Sequence, residues 1–235
     1  AADRLKNRSG LAVNVERPKV PYKEAIKKSV SQHSRYKKQT GGHGQFARVK
    51  IQFEPMPVGS GVEFDSKVVG GNVPKEFISG VKSGLISVAE AGLLAGFPLI
   101  DFKVTLVDGA SHDVDSSVMA FEIAARSAFR EAAPKLGVKL LEPIMDVEVT
   151  TPEDYQGDIM GDLNRRRGQI QAMGTKGNVA IVKAKVPLAE MFGYSTDVRT
   201  ISSGRASYSM EPASFDPVPQ NIVQAICKER GTVAA

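Results

Sequence analysis

The stretch IMDVEVTTPEDYQGDIMGDLNRRRGQIQAMGTKGNVAIVKAKVP, residues 144–187, decides how the second half of the chain folds. IMDVEVT alternates apolar and polar residues, as a strand with one buried face does. Thr151-Pro152-Glu153-Asp154 then reads as a helix start: a capping hydroxyl, a first-turn proline and acids near the positive helix end. Tyr155, Ile159 and Leu163 recur every four residues and predict one apolar stripe. Arg165, Arg166 and Arg167 close that helix, where the dipole favours cations. QIQAMGT and VAIVKAKVP flank Gly177-Asn178, a turn signal between two strands. A second helix over 188–202 and a strand in RASYSMEP (205–212) complete β-α-β-β-α-β, the ferredoxin-like order. A last helix, Pro219 to Arg230, shows Ile222, Val223 and Ile226 and stops at Gly231.

Toward the N-terminus the pattern changes. A helix is predicted over about 116–136, with Val118, Phe121, Ala125, Ala128 and Ala132 inward and Glu122, Arg126 and Arg130 in solvent. Asp115, Ser116 and Ser117 read as its caps. Strands are expected at 99–109 and 62–69, and a helix at 74–92 carries Phe77, Val81, Leu85 and Val88. FARVKIQF (46–53) reads as a strand whose alternation slips at Ala47–Arg48. Residues 22–38 are ambiguous: Tyr22, Ile26 and Val30 stand four apart and suggest a helix, but pattern alone does not decide. Asp3 to Arg8 looks like the tail of a helix stopped by Gly10, followed by a short strand ending near Pro18. A start inside a helix is expected of a piece of something longer. The class is α+β in two domains, which 235 residues at 42% hydrophobic can support.

The net charge of +5 is mild, but its placement is not. Residues 1–50 hold 13 Lys/Arg against Asp3, Glu16 and Glu24, an excess twice that of the whole chain. Such a block attracts polyanions, and a plain solvated basic face also accounts for it. Cys227 is the only cysteine, so no disulfide framework forms, which suits a reducing compartment. No apolar run approaches the ~18 residues of a membrane span, and AADRLKNRSG lacks the apolar core of a signal peptide.

KKQTGGHGQFARVK (37–50) admits three chemistries: a phosphate-cradling loop, a histidine active site, or a loop tip touching RNA. Gly42 to Ala47 matches G-x-G-x-x-[G/A], but that fingerprint needs a strand before and a helix after, and here a strand follows. His33, His43, His112 and Cys227 share no metal-ligand spacing. His112-Asp113-Val114-Asp115-Ser116-Ser117 has acids and hydroxyls but no complete nucleophile, base and orienting group. RNA contact survives: glycines admit a close phosphate, Lys37 and Lys38 add charge, and His43, Gln45 and His112 can bond bases or ribose. An ordinary glycine turn in a hairpin fits the same residues.

QTGGHGQF, DGASHDVDSS, TPEDYQGDIMGDLNRRRGQI and FGYSTDVRTISSGRASYSMEP closely resemble the C-terminal part of bacterial elongation factor G, and the likeness covers essentially all of the chain. The resemblance implies that 1–20 is the end of domain III. It implies that 21–141 with 215–235 is domain IV, like ribosomal protein S5, and that 142–214 is the ferredoxin-like domain V. It also favours strand for 22–38. The implied activity is GTP-dependent movement of tRNA and mRNA through the ribosome by a cytoplasmic, monomeric factor. The partners are then tRNA, mRNA and the rRNA of both subunits, with no membrane. GTP and Mg would belong to an N-terminal domain, leaving no cofactor, metal or catalytic residue here. Gln39, Thr40, Gly41, Gly42, His43, Gly44 and Gln45, with Ser111, His112 and Asp113, correspond to the tip of domain IV in the decoding region. Lys37, Lys38, Arg165, Arg166 and Arg167 are implied rRNA contacts, although a helix-end charge cluster explains the arginines equally. The family often has arginine and tyrosine where His43 and Phe46 stand, and Ala47-Arg48 is less usual. These departures suggest a paralogue of recycling or tetracycline-resistance type, whereas the retained SHDVDSS favours a translocase. A free-standing ribosome- or RNA-binding module is the other class.

Overall fold

The computed structural model describes residues 19–232. The helix expected at 3–8 and the strand that follows it lie outside the described residues. The elements run β1 (Lys23–Ala25), β2 (Val30–Thr40), β3 (His43–Pro55), β4 (Val62–Ser66), α1 (Lys75–Ala91), β5 (Phe102–Ala110) and α2 (Val118–Leu136). They continue as β6 (Lys139–Pro152), α3 (Gln156–Arg165), β7 (Gln169–Lys176), β8 (Val179–Pro187), α4 (Tyr194–Ile201), β9 (Ser207–Pro217) and α5 (Gln220–Glu229).

The first sheet has the order β2-β3-β5-β4, antiparallel except for β4 beside β5. Ala47, Val49, Ile51 and Phe53 are all buried, so β3 alternates cleanly. The expected slip at Ala47–Arg48 is therefore corrected: the small Ala47 faces inward and the larger Phe46 points out. The irregularity lies instead between Lys50 and Ile51, where the pairing with β5 shifts. The buried face of the sheet packs on α2, with Phe53 stacked on Phe129 at 4.6 Å. Helix α1 lies against α2, and Phe77 stacks on Phe121 at 5.1 Å. Gly80 and Gly84 set that spacing. A methyl group at Gly84 would sit 2.5 Å from the Glu122 carbonyl oxygen. Gly84→Ala is therefore expected to destabilise the fold by about 2 kcal/mol, because two packed helices must part. Urea unfolding measures it.

Residues 22–38 contain no helix. They form β1 and β2, against the four-residue spacing. The spacing came from three residues serving different places: Tyr22 packs on Phe97, Ile26 enters the main core, and Val30 opens β2. Strand β2 exists because β3 pairs with it over eleven consecutive residues, a long-range choice that local periodicity does not register.

The second sheet has the order β9-β6-β8-β7, which with α3 and α4 is the ferredoxin-like arrangement. Ile159, Leu163, Tyr194 and Val198 pack the two helices into its core. Helix α3 starts later than the sequence suggests. Strand β6 runs through Pro152, a single tight turn covers Glu153–Tyr155, and Thr151 is buried with no capping bond. The second helix is shorter than 188–202, because Gly193 takes φ 78 and forces a break before Tyr194.

Strand β1 joins the units. Leu141 faces Lys23 on one side and Pro217 on the other, so β1 extends the second sheet beside β6. The boundaries expected at 141/142 and 214/215 therefore fall inside β6 and β9. Helix α5 packs Val223 and Cys227 with Ala95, Phe97 and Leu140, closing a third small core at this junction.

Candidate nucleic-acid interface

The hairpin β2–β3 turns at Gly41 and Gly42, whose φ values are 49° and 101°. Positive φ at both central residues is what a tight hairpin following the strand twist requires, and glycine adopts it without strain. The turn stands well beyond the sheet, since β5 pairs with β3 only as far as Arg48.

The extension is braced by the loop after β5. Gly44 N–H donates to the Asp115 carboxylate at 3.1 Å, and Phe46 N–H donates to the Asp115 carbonyl at 2.8 Å. The Ser116 hydroxyl donates to the Phe46 carbonyl at 2.7 Å and accepts from His112 N–H at 2.8 Å. Of the three expected caps, only Ser117 serves α2, accepting from Ala120 N–H. Asp115 and Ser116 are fasteners between two loops, a role missed because their spacing also suits a helix start. Ser111 is held in turn by the Asn72 carbonyl.

These bonds bring Gly41, Gly42, Gly44 and Gln45 together with Ser111, His112 and Asp113 at one end of the sheet. The His112 side chain is 58% exposed, with Nδ1 3.6 Å from Asp115 and its ring edge-on to Phe46 at 6.5 Å. Val114 beside it is 73% exposed. Gln39, Lys37 and Lys38 are exposed on the same hairpin, and the backbone pairs Thr40 with His43 across its last rung. Asp115→Ala is expected to speed hydrogen exchange at the Gly44 amide about tenfold while leaving global stability nearly unchanged. Amide exchange followed by NMR reads this directly.

The arginine cluster is elsewhere and mostly internal. Arg166 is 8% exposed. It bonds Asp162 at 2.8 Å, the Glu190 carbonyl at 2.6 Å and the Asp197 carboxylate, and lies over the Tyr194 ring. Burial alone would lower the Arg166 pKa, but its bond with Asp162 and the nearby charges raise it. Arg167 adopts φ 58 at the end of α3, held there by a two-pronged bond to Glu142. Both guanidiniums are therefore engaged by the fold, Arg166 buried and Arg167 with 28% of its side chain exposed. Arg165 alone of the three is freely exposed, paired at its inner edge with Asp162. No group of three or more His, Cys, Asp or Glu among the described residues could hold a metal ion. No described helix is long and apolar enough to cross a membrane.

A two-unit α/β chain of this kind, with a braced hairpin tip and a ferredoxin-like second unit, defines a class among known proteins. The sequence model for elongation factor G, domain IV, matches residues 18–136, and that for the elongation factor G C-terminus matches residues 139–226. The chain belongs to the elongation factor G family. It is 55% identical over 227 residues to elongation factor G of Paracoccus denitrificans (strain Pd 1222), covering 97% of this chain and 32% of that protein. Elongation factor G of Wolbachia pipientis subsp. Culex pipiens (strain wPip) is 55% identical over 225 residues, covering 95% of this chain and 33% of that protein. The chain thus spans about a third of the length of these relatives. The crystal structure of ttk003000868 from Thermus thermophilus superposes with a TM-score of 0.85 at 38% identity, covering 98% of this chain and 34% of that one.

Proposed function

We propose that the chain is the ribosome-engaging part of a translocase. Its tip enters the decoding region of the small subunit during GTP-dependent movement of tRNA and mRNA. The carrying observation is the joining of the Gln39–Gln45 turn to the Ser111–Asp113 loop by Asp115 and Ser116. Two short exposed loops become one stiff projection, narrow because its apex is glycine. Stiffness matters because a wedge that yields cannot bar the return of a displaced tRNA. The work is steric and electrostatic: occupation of a vacated site, with Lys37 and Lys38 attracting phosphate. GTP and Mg bind in the N-terminal domain of the full-length factor, a monomer of the cytoplasm. The 55% identity with elongation factor G relatives favours a translocase over a recycling or resistance paralogue.

In the full-length factor, His112→Ala is expected to slow single-turnover translocation about tenfold, the loss of about one charge-assisted or stacking contact. Phosphate release after GTP hydrolysis should stay unchanged. An unaltered translocation rate, with His112→Ala and with the Gly41–Gly44 turn shortened, rules the tip role out.

A further inference from the structure

The outward face of the first sheet carries a sorted array of charge. Register places His33, Arg35 and Lys37 of β2 opposite Lys50, Arg48 and Phe46 of β3. Helix α2 packs on the other face; His33, Arg35, Lys37 and Arg48 are exposed, and Lys50 and Phe46 are half-buried. The acids of the face lie at its far end: Glu54 and Glu63 both stand opposite Lys103, with Asp65 next to them. Near the tip, the only acid in register among the described residues is Asp108, 3.7 Å from Arg48.

Arg35 and Arg48 are direct cross-strand partners. Like charges so placed repel and cost stability, because the side chains start only ~5 Å apart. Asp108 offsets one of them, and Arg35 lies over the Phe46 ring at 5.5 Å. A stacked guanidinium is held in one orientation with its N–H edge free, an arrangement suited to phosphate.

We propose that this face, through Arg35, Lys37, Arg48 and Lys50, is a second nucleic-acid surface that grips an RNA sugar–phosphate backbone alongside the tip. The inference rests on the ribosomal reading above. Repulsion kept between Arg35 and Arg48 in the free protein is relieved when phosphates lie between them. Alternate residues of a strand are ~6.6 Å apart, so the β2 and β3 cations form two parallel rows along which a backbone can run. An RNA is favoured over an acidic protein because the array holds no apolar anchor other than Phe46, and Arg35 already covers that ring.

The test is binding of the chain to purified bacterial ribosomes across a potassium chloride titration. Arg35→Gln/Arg48→Gln is compared with Lys75→Gln/Lys82→Gln, which removes the same charge from exposed positions on α1. The face variant should bind about tenfold more weakly, with a salt slope shallower by about two, and the α1 variant should match the unaltered chain. The face variant's melting temperature should be nearly unchanged, because the repulsion removed offsets the loss of the exposed Asp108 pair and the Phe46 stack; a large fall would mark a structural role and overturn the proposal. Equal binding by both variants would overturn the face and leave the ribosomal reading intact. No ribosome binding by the unaltered chain would overturn both. A benzophenone amino acid at His33 should cross-link to rRNA; cross-linking to a ribosomal protein instead would also overturn the proposal.

Discussion

Arg166→Met should unfold the second unit under conditions where the unaltered chain is folded, with a loss of about 3–5 kcal/mol. The size follows from what is left behind. The Asp162 side chain is 3% exposed and accepts from Arg166 at 2.8 Å. Methionine fills the volume but leaves a buried carboxylate facing only the outer guanidinium of Arg165. The Glu190 carbonyl, which fixes the turn before α4, loses its donor at the same time. The Tyr194 ring beneath the guanidinium loses its cation, and burial already holds that phenol well above its ordinary pKa. Asp162→Asn/Arg166→Met should recover part of the loss, because the stranded charge is then gone. Thermal and urea unfolding of the single and double variants give the comparison.

Glu24→Gln is expected to cost about 3 kcal/mol, although it replaces only one oxygen by an amide N–H₂. Glu24 is fully buried, and its carboxylate accepts from the backbone N–H groups of Leu93, Leu94, Ala95 and Phe97, at 2.6, 3.0, 2.8 and 3.2 Å. A carboxylate can accept from all four; an amide must turn an N–H₂ toward donors and leave some unsatisfied. Gly92 at φ 80 gives the loop its curl, and Phe97 in turn seats Tyr22 and Arg230. Since β1 also pairs with β6, Glu24 links the 93–97 loop of the first unit to the sheet of the second. Amides of Leu93, Ala95 and Phe97 should exchange fastest in the variant.

Glu24 also shows where sequence reading stops. In the sequence it is one of three acids in a basic stretch, with nothing to mark it as buried. Its partners are backbone groups some 70 residues away, and backbone N–H groups have no letter code. The arginine run illustrates the converse. Position at a helix end explains Arg165, but Arg166 and Arg167 also take partners from Glu142, Glu190 and Asp197, on β6, the turn before α4 and α4, brought close only by the tertiary fold. What was legible rests on local order: the stripe of α2 from Phe121 to Ala132 (Val118, expected inward, is exposed), the alternation of β6 and β8, and the Gly177-Asn178 turn. The tip was legible as two loops, and only the structure joins them through Asp115 and Ser116. Residues 22–38 stayed ambiguous on pattern because a spacing of four arises by chance in a short window, whereas strand pairing is set by a partner further along; the strand that the resemblance favoured is what forms.

The most direct measurement places a cleavage probe on the tip. Cys227 is buried and is the only cysteine of this chain, so within it a single introduced cysteine is the accessible one. An iron chelate tethered at Val114→Cys in the full-length factor bound to ribosomes should cut small-subunit rRNA at the decoding region, and the tRNA or mRNA beside it. The same chelate at Val58→Cys, beyond the opposite end of β3 and 79% exposed, should not. Identical cleavage from both positions, or none near the decoding region from Val114, would contradict the account of this chain as a rigid wedge pointed into RNA.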